Sequence, residues 1–142
     1  MRESTLRRLE RFNRALELLE WLRSRDKEEL MRDIALQSIA ERNIQVAADF
    51  CVDLSAFLLS QLGESVPARY KEIIEAVKRR GIVDRYLGDR VKGIVGLRNI
   101  IVHLYAEVKA DIIYDNLSEI VSDLREFVKH LMGYCKKEGI DP

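Results

Sequence analysis

Proline and cysteine are scarce in this chain of 142 residues, with two of each, and glycine occurs seven times. So few breakers leave long stretches free to be helical, and the Leu, Glu, Arg and Ala that fill them favour helix. No segment shows sustained apolar–polar alternation, so no sheet is expected. Cys51 and Cys135 stand far apart, neither in a CxxC, and only two histidines are present. That excludes a disulfide scaffold and offers no structural zinc site, which needs about four ligands at close spacing. Two thiols and no leader segment point to a reducing cytoplasm. No window approaches the ~18 apolar residues of a membrane span, so no membrane partner is expected. Net charge is also missing: 24 basic side chains balance 24 acidic ones. Nucleic-acid binders often carry a basic excess, so any such contact here must come from a local patch.

What is present is a chain rich in apolar residues (47%) and charged residues (34%), a balance unlike that of disordered segments. Its length suits one domain, residues 1–142, able to bury a core unaided. Leu6, Leu9, Phe12, Leu16 and Leu19 recur at steps of three and four. They predict a first helix over residues 4–22 with Ser4 as N-cap. A second helix, capped by Asp26, meets no breaker before Gly63. It would span roughly 50 Å, which invites a kink or break near Asn43. Its second half is apolar on most sides, as in a central bundle helix or one at a dimer interface. One polar stripe crosses it: Gln45, Asp49 and Asp53. Gly63 and Pro67 are stop signals. A short helix over residues 68–80 follows, closed by Gly81. A fourth starts at Asp84 or Gly88 and reaches Tyr105, and a last one covers residues 110–137. Ile113, Leu117, Ile120, Leu124, Phe127, Val128 and Leu131 form its apolar stripe. Trp21 and the phenylalanines are expected in the core. Short connections favour an all-α, up-and-down bundle of four to five helices.

One stretch bears chemistry: Gly96-Leu97-Arg98-Asn99-Ile100-Ile101-Val102-His103-Leu104-Tyr105. It fits Arg, four residues, His, one residue, Tyr, with Asn directly after Arg. Gly81-Ile82-Val83-Asp84 leads into it, Ile44-Gln45-Val46-Ala47 lies on the second helix, and Leu62-Gly63-Glu64 ends that helix. In motif, order and surroundings the chain resembles the HepT-like branch of the HEPN superfamily. The resemblance covers most of the chain and implies an all-α HEPN-like fold. It further implies a ribonuclease toxin acting as a homodimer, with a nucleotidyltransferase-fold antitoxin as partner and no cofactor. It also implies that Tyr105 can accept AMP groups placed by that partner.

The residues carry a chemical argument of their own. RNA cleavage without a metal uses the 2′-OH as nucleophile and needs a group to take or give a proton. Histidine, with an unperturbed pKa near ~6.5, suits either role. A guanidinium matches the oxygens of the phosphorane-like transition state with paired donors. His103 and Arg98 fill these positions and would leave a 2′,3′-cyclic phosphate and a 5′-hydroxyl. Asn99 is suited to orienting the imidazole or bonding a phosphate, and Tyr105 to bonding a phosphate or stacking on a base. Geometry limits this set. At about 100° per residue, Asn99 and His103 share a helical face, Arg98 lies roughly 140° from His103, and Tyr105 about 160°. Either the helix ends near His103 or a second subunit completes the site. Gly93 and Gly96 each cost up to ~1 kcal/mol against Ala within a helix. Their presence suits close approach of another backbone, hence a homodimer in which two motif helices meet.

Blander readings stand beside these. A plainer account makes His103 a core or capping residue, Arg98 a salt-bridge partner of Asp49 or Asp53, and Tyr105 structural. The Gln45, Asp49, Asp53 stripe offers two carboxylates a turn apart but no third metal ligand. A buried polar network or a pocket wall fits it better, which makes Gln45 and Asp49 candidate supporting residues. His130 reads as surface. The densest basic patch is Lys78-Arg79-Arg80 with Arg85, Arg90 and Lys92. Two other functions remain open: a non-catalytic HEPN adaptor that binds a nucleotidyltransferase or a nucleotide, and a plain helical interaction module.

Overall fold

The computed structural model describes residues 1–103 and 109–142, with the side chain of His103 left out. The helices are α1 (Glu3–Ser24), α2 (Lys27–Arg32), α3 (Ile34–Gln61), α4 (Tyr70–Arg79), α5 (Arg85–His103) and α6 (Ala110–Glu138). Among the described residues no strand occurs. The all-α expectation holds, with one helix more than expected because the long second helix is two.

The division falls at Asp33 rather than near Asn43. Asp33 is extended (φ −113°, ψ 105°) and its carboxylate accepts from the amides of Ala35 and Leu36 at 2.9 and 3.3 Å. This satisfies two of the donors orphaned at the start of α3. The Gln37 side chain reaches back to donate to the Leu30 and Met31 carbonyls at 2.9 and 3.1 Å. One short sequence thus caps both ends of the break. Asn43 stays helical, donating to the Ile39 carbonyl at 2.7 Å. Asp26 caps α2 through the Glu28 amide, as expected. Ser4 does not cap α1, which starts one residue earlier at Glu3 with Arg2 in the cap position. Gly63 and Gly81 both adopt φ +77°. In each case the glycine and the residue after it donate back to the last turn, closing α3 and α4.

Helix α3 is the axis of the bundle and touches all five other helices. Ala40, Ile44, Ala47, Ala48, Cys51, Leu58 and Leu59 are sealed from solvent. By length and composition α3 could cross a membrane, contrary to the sequence expectation, but more than half of its most apolar window is buried inside the bundle. Phe12, Leu16 and Leu19 of α1, and Leu117, Leu124, Phe127 and Leu131 of α6, close around it. Phe12 and Phe50 meet with ring centroids 5.1 Å apart. Trp21 departs from its expected place in the core: it is 43% exposed, with the Arg25 guanidinium 5.0 Å from its ring. Leu6 likewise lies outside the stripe it was assigned to. Both cysteines are buried free thiols, and burial pushes both above the ordinary thiol range, which makes them inert fillers.

Candidate active site

Asp84 accepts from the Leu87 amide at 2.9 Å and sets the start of α5. The helix then runs beside α3, α4 and α6 with Val91, Ile94 and Val95 in the core. The next inward step along this face is Arg98, a charged residue only 7% exposed. Desolvating a guanidinium is costly unless it is paired, and three neighbours meet that need. Arg98 Nε donates to Asp49 Oδ1 at 2.6 Å, Arg98 Nη1 donates to Asn99 Oδ1 at 3.3 Å, and the guanidinium carbon lies 4.6 Å from the centre of the Tyr70 ring. Residues from α3, α4 and α5 therefore fix one side chain in position.

This clamp forms one wall of a groove between α4 and α5. The groove has a volume of about 920 Å³ and is lined by Arg69, Tyr70, Lys71, Gly93, Arg98 and Asn99 among others. Gly96 borders it, and among the described residues a Cβ there would lie 2.9 Å from the Lys71 side chain. The Cε–Nζ end of Lys71 thus fills the space that the missing Gly96 side chain leaves. A Cβ at Gly93 would meet nothing within 4 Å, so this position faces open groove.

Of the residues singled out in the sequence, Arg98, Asn99 and Asp49 come together. Gln45 lies one turn from Asp49 and accepts from Arg42 at 3.2 Å. Asp53 pairs with Arg8 of α1 instead of Arg98. Burial pushes the Asp53 carboxyl up, the Arg8 charge pulls it back, and the neighbouring Asp49 adds to the rise. The stripe is therefore a polar network that seats arginines, and among the described residues no group of three acidic, His or Cys side chains could hold a metal. His103 is the last described residue of α5; its side chain, and Tyr105 entirely, lie outside the described residues.

The basic patch expected around Lys78 is largely cancelled. Lys78 pairs with Glu75 and Asp89, Arg79 and Lys92 with Glu75, Arg80 with Glu64, and Arg90 with Asp123. Hydrogen bonds from Lys92 and then Lys78 hold the Glu75 carboxyl down at about 2. His130 is on the surface beside Glu126, as expected. What sequence reading missed is Arg8, Arg11 and Arg42, which line a recess on the α1 side of Asp49. Their signal was the crowding of arginine at positions 7, 8, 11 and 14, which on a helical projection looks like an ordinary solvated face.

An all-helical bundle with a buried arginine five residues ahead of a histidine on one helix defines a HEPN-like protein. Residues 12–131 match the Ribonuclease HepT-like family, and the chain belongs to it. It is 26% identical over 103 residues to the mRNA nuclease HepT of Shewanella oneidensis, covering 72% of this chain and 77% of that one. Its fold is similar to that of a tri-AMPylated HEPN toxin of Shewanella oneidensis solved in complex with an MNT antitoxin. The TM-score is 0.84 at 22% identity, over 94% of this chain and 99% of the other. A cytosolic protein of unknown function from Bacillus subtilis, YutE, shares the fold with a TM-score of 0.80 at 18% identity, over 96% and 92% of the two chains.

Proposed function

We propose that the chain is a metal-independent endoribonuclease, the toxin of a toxin–antitoxin pair, with its site shared across a homodimer. The observation that carries this reading is the clamped Arg98. A surface arginine would need no such support, whereas one that must meet a transition state gains from being held in place before the substrate arrives. In this reading Arg98 stabilises the charge that grows on the phosphorane. His103 moves the proton of the 2′-OH or of the leaving oxygen. Asn99 steadies the guanidinium, Asp49 supports it from α3, and Gln45, one turn away, contacts the bound RNA. Tyr105 contacts the substrate in the free toxin and accepts AMP groups when a nucleotidyltransferase antitoxin silences it. The related HepT is named an mRNA nuclease and the similar HEPN toxin was solved AMPylated beside its MNT antitoxin, which supports both halves of the proposal.

One observation favours a second reading, a non-catalytic module that binds a nucleotidyltransferase. Arg98 is buried and satisfied by Asp49, as a purely structural arginine would be. Incubating the purified protein with RNA and EDTA, beside His103→Ala and Arg98→Ala, separates the two. Cleavage by the wild type alone, leaving 2′,3′-cyclic phosphate ends, is the expected result. Equal cleavage by all three proteins, or a strict need for a divalent ion, would sink the mechanism. Sedimentation as a monomer at micromolar concentration would remove the shared site.

A further inference from the structure

The polar stripe of α3 seats three arginines from three helices. Gln45 receives Arg42 of α3 itself, Asp49 receives Arg98 of α5, and Asp53 receives Arg8 of α1. Arg11 of α1 joins Arg8 and Arg42 around a recess of about 210 Å³ bounded by Asp49, Asp53 and Phe50. Arg8, Arg11 and Arg42 are all exposed, and Arg11 makes no hydrogen bond or ion pair among the described residues. Asp49 belongs to both sides: it holds Arg98 at the groove and forms a wall of the recess. Four guanidiniums stand against two carboxylates, which leaves two positive charges concentrated here on a chain whose net charge is zero.

We propose that Arg8, Arg11 and Arg42 bind backbone phosphates of the RNA flanking the one that Arg98 engages. This rests on the ribonuclease reading and extends it from the scissile phosphate to its neighbours. Steps of four residues along α3 are ~6 Å apart, a spacing comparable with that of successive phosphates on a single strand. Guanidiniums suit phosphate because their paired donors match its oxygens. The Arg8–Asp53 pair is surface-exposed, so exchanging the carboxylate for a phosphate costs little. An acidic protein partner fits less well, since interface hot spots set arginine beside accessible aromatic anchors in well-packed pockets. The aromatic residue here, Phe50, is 5% exposed and lies beneath the Arg8 guanidinium.

The test uses a short single-stranded oligoribonucleotide methylated at every 2′-O, which binds without being cut, and the variant Arg11→Ala/Arg42→Ala. Fluorescence anisotropy over a range of salt concentrations gives the slope of log K against log salt. Losing two phosphate contacts should flatten that slope by about 1.4, at ~0.7 per contact on a single strand. Cleavage of a dinucleoside monophosphate, which carries only the scissile phosphate, should be unchanged, while KM for a longer RNA rises. An unchanged slope overturns the proposal, and if binding to a nucleotidyltransferase partner weakens at the same time, the face is a protein contact. Equal loss on the dinucleoside also overturns it. Should the wild type cut neither substrate, the ribonuclease reading fails, yet the salt slope still decides whether these arginines contact phosphate. The melting temperature of the variant checks its fold.

Discussion

Removing Asp49 tests the clamp directly. In Asp49→Ala the Arg98 side chain, 8% exposed, would stay inside the bundle without its carboxylate. Breaking a fully buried pair from one side costs ~3–5 kcal/mol. The cost here is smaller for two reasons. The Asp49 side chain is 31% exposed, so water already weakens the pair. Arg98 also keeps the Tyr70 ring at 4.6 Å and Asn99 at 3.3 Å. A cation over a ring contributes ~0.5–2 kcal/mol, which brings the expected loss to about 2 kcal/mol. For a domain of this size that lowers Tm by roughly 6 °C. Urea unfolding followed by circular dichroism measures the loss, and a double-mutant cycle assigns it. Arg98→Met removes the charge and keeps much of the apolar stem, so Asp49→Ala should cost little in that background. The coupling energy should be about 2 kcal/mol. If Asp49→Ala lies within ~0.5 kcal/mol of the wild type, or the two changes simply add, then Asp49 does not hold Arg98 and the argument for a preorganised site is wrong.

Three further perturbations probe other parts of the molecule. Tyr70→Phe keeps the ring beside Arg98 and should retain RNA cleavage, whereas Tyr70→Ala should lower kcat about tenfold, the equivalent of ~1.4 kcal/mol of transition-state stabilisation; equal damage from both would mean that the hydroxyl matters and the ring does not. The Glu75 carboxyl, held at about 2 against its ordinary 4.5 by Lys92 and Lys78, stabilises the fold above the unfolded value and loses that contribution as pH falls from 4.5 towards 2. The stability gap between wild type and Glu75→Gln should therefore be constant above about pH 5 and close below it, and a gap unchanged down to pH 2 would contradict the ion-pair assignment. Gly93→Ala has room within the chain and gains helix propensity, so the isolated fold should be up to ~1 kcal/mol more stable; if a partner helix packs there, sedimentation should show a weaker dimer, and an unaltered dimer would place Gly93 outside the interface.

Much of the fold could be read from local sequence because local chemistry enforces it. The apolar steps of α6, from Ile113 to Leu131, form its buried face. Gly63 and Gly81 end helices where a left-handed residue is needed. The break at Asp33 escaped notice because its signal is divided. Asp33 looks like an ordinary helical acid until its carboxylate is seen on the Ala35 and Leu36 amides, and Gln37 acts across the break on α2. Trp21 was misplaced because its spacing is helical while the face it occupies is not the buried one. Within the site, Arg98 and Asn99 were legible from their motif, and Asp49 as one of two partners for Arg98. Tyr70 was not, since its role depends on how α4 packs against α5, and nothing in residues 68–80 reports that contact.

The distribution of charge was the least legible feature, and it alters how the zero net charge bears on function. Read along the chain, the densest cations are those from Lys78 to Lys92, yet folding pairs most of them with Glu64, Glu75, Asp89 and Asp123. The cations gathered at the α3 stripe come from α1, α3 and α5, and Arg8, Arg42 and Arg98 stand too far apart in sequence to register as a patch. Their carboxylate partners lie on a single face of α3, so Asp49 and Asp53 orient guanidiniums without neutralising the group. An RNA strand meeting this face would encounter a local surplus of positive charge that the composition conceals. Screening over about 10 Å at moderate salt would confine attraction to that face and leave the rest of the surface, which carries the balancing negative charge, without general affinity for nucleic acid. A neutral composition is thus compatible with an RNA-directed site, provided that the fold sorts the charges.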